Sequence, residues 1–245
     1  MNTETLPSRV QRVRHEIKRR ELEVLSVEAV TPGFRLITLG GESLADFTSL
    51  SFDDHVKLFF DGAEGEPARR DYTPRAYSNA ERTLTLEFAL HGEGPASGWA
   101  EQAAPGQRLV VAGPRGSFVV PADHDWHLLA GDETALPAIA RRLEELPAGT
   151  RALVFLQVKE ADRLPLASAA ALDLHWARSP EDLLQAVKAL TLPGGDGYAW
   201  CAGEAAMVKE LRRLLVDDKG LGRHAIRASA YWKRGATAHH EDLED

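Results

Sequence analysis

Eight consecutive residues, Arg70-Asp-Tyr-Thr-Pro-Arg-Ala-Tyr77, bring together two guanidiniums, two phenol rings and a hydroxyl. In concert such groups can grip a planar, phosphorylated heterocycle. A guanidinium offers a two-pronged donor to phosphate. A tyrosine two residues on can lie flat against a ring, and the next hydroxyl can reach a ring nitrogen. In an extended chain Arg70 and Tyr72 share one face and Thr73 takes the other. A turn at Pro74 would bring Thr73 to the ring's edge. A flavin fits this grip: Arg70 for the charge, Tyr72 for the face, Thr73 for the edge. The same residues also read as an exposed polar strand end with an Arg–Asp pair.

The elements that would hold this segment follow from periodicity. Residues 21–30 read as a strand, Pro32-Gly33 as a turn and 34–39 as a second strand, and 55–60, 84–90 and 108–112 continue the series. Short strands with Gly and Pro between them predict a small antiparallel barrel. After Pro121 the pattern changes. Apolar runs at 126–130, 151–158, 198–202 and 225–231 alternate with helical spacing over 134–146, 181–190 and 204–216, which predicts a mostly parallel sheet covered by helices. The expected organisation is a basic N-terminal arm (1–20), a barrel domain (21–122), an α/β domain (123–235) and an acidic tail (236–245). The arm carries Arg9, Arg12, Arg14, Lys18, Arg19 and Arg20; it reads as a solvated arm or surface helix, or as a strap folded over the first domain.

At 245 residues the chain is long enough for one large or two modest domains. Its net charge of −8 speaks against a nucleic-acid binder. Cys201 is the single cysteine, which excludes an internal disulfide and an iron–sulfur cluster on the usual cysteine ligands. It lies in an apolar run with no basic neighbour and reads as an inert buried thiol. No apolar run reaches the ~20 residues of a membrane span, and no leader-like segment opens the chain; no stable membrane insertion and a cytoplasmic location are expected. His239 and His240, beside Glu241 and Asp242, read as a solvated tail rather than a metal site, since no second segment supplies ligands.

Further segments add to the first. In His91-Gly-Glu-Gly-Pro-Ala-Ser-Gly-Trp-Ala100, Gly94-Pro95 is a turn signal. Ser97 reads as an N-cap from which a short helix would aim free N–H groups at an anion. Ala130-Gly-Asp-Glu-Thr-Ala-Leu-Pro-Ala-Ile139 has one glycine where a dinucleotide loop usually shows three. Thr134 reads as a helix cap with Pro137 in the first turn; Asp132 and Glu133 suit the helix dipole but are poor neighbours for a pyrophosphate. With Ala112-Gly-Pro-Arg-Gly-Ser117 and Tyr231-Trp-Lys-Arg-Gly235, these segments run in order along nearly the whole chain. Together they resemble the siderophore-interacting protein family, flavin-dependent ferric-siderophore reductases of the ferredoxin–NADP reductase-like group.

The resemblance implies a β plus α/β architecture: an N-terminal antiparallel flavin-binding β-barrel followed by a C-terminal mostly parallel α/β nucleotide-binding-like domain. FAD would have Arg70 on its pyrophosphate, Tyr72 stacked on the isoalloxazine and Thr73 near N5. Arg75 would bind phosphate or order the loop. Gly94, Pro95, Ala96 and Ser97 would complete the phosphate site, with His91 before them as a structural hydrogen-bonding group or a proton donor. Thr134 and Ala135 would form the corner beside the flavin. Gly98 stands where relatives carry a bulkier, often basic residue. Electrons would come from NAD(P)H or a ferredoxin and pass singly to Fe(III) in a siderophore, releasing Fe(II), with no protein acid or base required. An anionic ferric complex needs cations: Lys57, Lys233 and Arg234 are candidates and Arg115 a weaker one, each otherwise a solvated surface cation. Trp232 either covers the flavin or belongs to the core. Two other functions fit the outline: a general NAD(P)H:flavin or ferredoxin-type reductase with another acceptor, and a siderophore-binding carrier without turnover. A monomer is expected.

Overall fold

The structure, a computed structural model, describes residues 9–61, 68–90 and 94–235, together with the backbone of 241–242. Its first half contains β1 (Gln11–Arg14), β2 (Arg19–Thr31), β3 (Phe34–Gly40), β4 (Val56–Phe60), β5 (Ala68–Tyr72), β6 (Pro74–Ser78), β7 (Thr83–Ala89), helix α1 (Pro95–Gln102), β8 (Arg108–Ala112) and β9 (Gly116–Val119). Seven of these strands form an antiparallel sheet in the order β5-β4-β8-β2-β3-β7-β6. Alternate residues, among them Leu22, Ile37, Leu58, Leu86 and Val111, fill its inner face, as the two-residue period of a strand dictates. The edge strands β5 and β6 are consecutive in the chain with only Thr73 between them. The sheet thus rolls into a half-barrel whose seam is covalent at Thr73.

The N-terminal arm is neither a solvated tail nor a helix within the described residues. β1 pairs antiparallel with β9. Arg20, inside β2, is buried, and its guanidinium donates to the carbonyls of Ser43 and Gly113 and to Asp46.

The second half contains β10 (Trp126–Asp132), α2 (Leu136–Glu145), β11 (Arg151–Gln157), β12 (Ala171–Ala177), α3 (Pro180–Ala189), β13 (Gly197–Glu204), α4 (Ala205–Arg213), β14 (Ile226–Trp232) and β15 (Glu241–Asp242). The sheet order is β12-β11-β10-β13-β14-β15, parallel except for β15. Every residue of β10 is buried, the signature of a central strand covered on both faces. One face packs on α3 and α4. The other packs on α2 and continues into the first half, where Phe34, Phe52 and Val120 join Leu129, Ile139 and Trp200 in one core. The predicted order of an antiparallel half followed by a parallel half is the observed one.

Candidate active site

The seam of the half-barrel carries the first segment. Register places Tyr72 opposite Val56 and Arg70 opposite Leu58, so both lie on the face of β5 that turns toward the barrel core. The Tyr72 ring lies 4.3 Å from that of Phe88, and Phe88 lies 5.6 Å from Trp99 of α1. A series of rings therefore connects β5, β7 and α1, and burial pushes the Tyr72 hydroxyl well above its usual pKa. The Arg70 guanidinium donates to the Arg69 carbonyl at 2.7 Å and has no carboxylate partner among the described residues. Thr73 is buried at the junction of the two halves, near Tyr231 of β14. Tyr231 in turn donates to Asp53 Oδ1 at 3.3 Å, and Asp53 is ion-paired with Arg227.

Helix α1 begins one turn earlier than expected. Its N-cap is Gly94, with Pro95 at the first helical position, so Ser97 is inside the first turn rather than capping it. The Ser97 hydroxyl is buried and, among the described residues, without a hydrogen-bond partner, an arrangement that costs free energy unless a further group completes it. A Cβ added at Gly94 or Gly98 would meet nothing within 4 Å, so this turn borders open space. The uncapped N–H groups, the Ser97 hydroxyl, Arg70 and Tyr72 are the donor set and ring that a dinucleotide flavin needs, and these residues fit FAD. His91 lies outside the described residues.

The carboxyl ends of β10 and β13 form the other side. Strand order reverses between them, which is where open α/β sheets bind ligands. Here Asp132 fills the crevice. It is 1% exposed, and it accepts from Thr134 N at 2.9 Å, Thr134 Oγ1 at 2.5 Å, Glu204 N at 2.8 Å and Trp232 Nε1 at 2.9 Å. Thr134 is thus tied back to Asp132 and is not the helix cap, a position taken by Ala135. Glu204 caps α4 by accepting from Ala206 N and Met207 N. Four N–H groups at this crevice, those of Thr134, Glu204, Ala206 and Met207, are engaged by carboxylates. Trp232 is half-buried at this rim with its indole bonded to Asp132.

Two of the expected binding side chains are engaged elsewhere. Arg75 reaches across to α2 and forms a two-pronged pair with Glu144, so it joins the two halves instead of offering itself to phosphate. Lys57 is paired with Asp71 at 2.6 and 2.9 Å. It shares the outer sheet face with Asp71, not the face of Arg70 and Tyr72, and its charge is compensated. Lys233 and Arg234 are exposed just beyond Trp232, with Arg234 N 3.5 Å from Glu204. Arg115 is exposed in the turn between β8 and β9. Cys201 is buried, with its thiol pushed up to about 12 by desolvation, consistent with an inert role. Sequence reading passed over Asp53, Arg227 and the anchoring role of Asp132. The available signal was in β14, where Arg227, Ser229 and Tyr231 alternate with apolar residues on one strand face.

An antiparallel half-barrel with Arg-x-Tyr-Thr at its seam, followed by a parallel sheet with a switch-point crevice, defines the ferredoxin–NADP reductase-like fold. A ferredoxin reductase of carbazole 1,9a-dioxygenase shares it, with a TM-score of 0.66 at 22% identity over 86% of this chain and 68% of that one. The chain belongs to the siderophore-interacting protein family. The model described as siderophore-interacting FAD-binding domain matches residues 23–68 and 61–118, and that described as siderophore-interacting protein matches 124–235. Among relatives, the NADPH-dependent ferric-chelate reductase of Escherichia coli is 38% identical over 92% of this chain and 97% of its own length. The ferric vibriobactin reductase ViuB of Vibrio cholerae is 32% identical over 91% and 93%. A siderophore utilization protein from T. fusca superimposes with a TM-score of 0.86 at 34% identity, covering 94% of this chain and 98% of that one. Among the described residues, no helix is long and apolar enough to cross a membrane.

Proposed function

We propose that this chain is a FAD-dependent reductase of ferric siderophores. The observation that carries the reading is the unbonded, buried Ser97 hydroxyl in the open first turn of α1, linked through the ring series to Tyr72. It is a built anion site beside a ring-binding tyrosine, in a chain of this family. When bound, the flavin supplies the redox chemistry, taking electrons from a reduced donor and giving them singly to Fe(III). The protein's share is binding and orientation: Arg70 and the α1 turn hold the phosphates, Tyr72 the ring face, Thr73 and the Thr134–Ala135 corner its edge. Lys233 and Arg234 are the exposed cations at the same rim and would attract an anionic ferric complex from the cytoplasm.

The test is an anaerobic visible spectrum of purified protein, followed by NADPH and then a ferric siderophore with a ferrous trap. A yellow protein bleached by NADPH and recoloured by the complex, with ferrous iron appearing, is the expected result. Yellow but unbleached by NADPH or NADH would assign the donor role to a ferredoxin. A colourless protein that takes up no FAD would sink the enzyme reading, and one that still bound the ferric complex would be a carrier. Arg70→Ala should weaken FAD binding by roughly tenfold or more, the size of a lost charge-assisted hydrogen bond. Apparent affinity for the ferric complex should fall as salt rises. Loss of this salt dependence in the Lys233→Ala/Arg234→Ala double variant would assign the attraction to those two groups.

A further inference from the structure

Arg35 lies where the neighbouring wall of the half-barrel is apolar. It is the second residue of β3 and stands directly opposite Phe88 of β7, so the two side chains share the inner sheet face with Ile37, Leu39 and Leu86. Arg35 is half-buried. Its Nη1 donates to the Thr31 and Phe34 carbonyls, each at 3.1 Å. The Nε–H and the two hydrogens of Nη2 have no partner among the described residues, and no carboxylate there compensates the charge. A guanidinium carries five N–H donors and keeps its proton in a protein. Leaving three donors and the charge unanswered beside an apolar wall costs free energy unless an anion supplies the missing acceptors.

The surroundings specify the anion. Phe88, beside Arg35, is the middle ring of the series that runs from Tyr72 to Trp99 of α1. The Leu90 N–H donates to the Gly33 carbonyl at 2.7 Å, which holds the outgoing end of β7 against the same β2–β3 turn that pins Arg35. Gly94, the N-cap of α1, is four residues on, within ~14 Å even for an extended chain, and α1 packs on β3 and β7. Two guanidiniums without carboxylate partners among the described residues thus border the barrel end that α1 closes: Arg70 on the strand of Tyr72, and Arg35 on the strand beside Phe88. FMN has one phosphate; FAD has two, the second joined to adenosine. We infer that Arg35 is a second phosphate-binding arginine, which takes the adenylate-side phosphate of FAD and makes the site select FAD over FMN and riboflavin. The inference rests on the flavin site proposed above. Tyr72 and Arg70 serve the ring and the first phosphate, which FMN and FAD share. Arg35, held by the turn carbonyls with the rest of its fork unused, serves only the phosphate that FAD adds.

The experiment uses the full chain freed of bound flavin. Wild type, Arg35→Gln, Arg35→Lys and Arg70→Gln are titrated with riboflavin, FMN and FAD, and binding is followed by flavin fluorescence. The wild type should prefer FAD to FMN. Arg35→Gln keeps an N–H for the turn carbonyls and loses the charge. Its FAD affinity should fall roughly tenfold or more, the size of one charge-assisted hydrogen bond, while its affinities for riboflavin and FMN stay unchanged. Arg70→Gln should instead weaken FMN and FAD alike. Raising salt should shrink the wild-type preference for FAD over FMN more than that of Arg35→Gln. Should Arg35→Gln fail to fold, Arg35→Lys decides: it keeps a charge but not the two-pronged fork, so FAD alone should weaken, and by less. Undiminished FAD affinity in the Arg35 variants would overturn the inference, as would an equal loss for riboflavin and FAD, which marks a structural role. Slower bleaching by NADPH with FAD affinity intact would also overturn it and reassign Arg35 to the electron donor. A wild type that binds FAD no tighter than FMN overturns it and leaves the flavin site standing. A wild type that takes up no flavin brings down the cofactor reading itself, a different result and visible before any variant is made.

Discussion

His127 is the second residue of β10, with 1% of its surface exposed. Its ring faces the Ala122 backbone, and among the described residues Nε2 has no partner. Burial first, and then the charges of Arg142 and His124, push its pKa down to about 3. The imidazole is therefore neutral in the folded protein at any ordinary pH. The linkage sign follows: between about 6.5 and 3 the unfolded chain binds a proton that the native chain refuses, so stability is fully present above 6.5 and is lost as pH falls toward 3. At about 1.36 kcal/mol per unit, full titration removes roughly 5 kcal/mol. Urea midpoints measured every half unit from pH 7 to 4 should slope more steeply for the wild type than for His127→Leu. Leucine loses the polar contact with the Ala122 backbone, a roughly constant offset near 1 kcal/mol, but it cannot titrate. Parallel slopes would mean that the native imidazole accepts a proton. Glu87 has the opposite sign: burial raises its pKa, so its contribution falls as pH rises above about 4.5, and Glu87→Gln should stabilise the protein at neutral pH.

At the element scale two glycines make opposite demands. A Cβ on Gly131 would stand 2.4 Å from the Ala202 carbonyl of the neighbouring strand and 2.5 Å from Ala135. Neither can yield without opening the β10–β13 ladder. Gly131→Ala should lower stability by roughly 2–4 kcal/mol, in the range of overpacked core sites. Gly98 sits in α1 with open space around it, so Gly98→Ala should raise stability by about 0.5–1 kcal/mol; the two denaturant midpoints should move apart. The sequence contained the glycine at 131 but suggested a depleted nucleotide loop, because the close approach of β13 is a tertiary fact. The same limit explains the elements that periodicity missed. β1 is the polar tetrapeptide Gln-Arg-Val-Arg and is a strand only because β9 pairs with it. β6 opens on Pro74, tolerable because it is an edge strand. β12, also an edge, is exposed or half-buried at all but its last residue, so it lacks the continuous apolar run that betrays β10 and β11. Arg70, Tyr72 and Thr73 stand out as a proposed site from sequence because their chemistry is local. The Asp53–Arg227–Tyr231 chain spans 178 residues and had no local mark beyond the alternation in β14.

For the whole molecule, the question is what keeps a half-barrel and a parallel sheet in one orientation, since the site draws on both. The shared apolar core supplies adhesion, but burial of oily surface is not directional. Orientation comes from polar pins at the edge of that core. Arg141 of α2 donates to Ser49 Oγ, the Ser49 carbonyl and the Pro74 carbonyl. Arg142 donates to the carbonyls of Val120 and Pro121 and lies over Phe52. Asp162 accepts from Thr31 Oγ1 and Gly33 N, so close that a side chain at Gly33 would collide with it. Arg141 is the most telling pin because the Pro74 carbonyl it holds adjoins Thr73 at the seam. Arg141→Met keeps the aliphatic stem and strands three acceptors, costing roughly 2–4 kcal/mol, or on the order of 10 °C in Tm for a chain of this length. If the pins set orientation, loss of this one should also damage the site without unfolding it. FAD affinity should drop while far-ultraviolet circular dichroism stays native, and melting followed by flavin release should precede melting followed by backbone signal. Coincident transitions with undiminished FAD affinity would instead show that the apolar core alone fixes the docking, with Arg141 contributing stability and nothing to alignment.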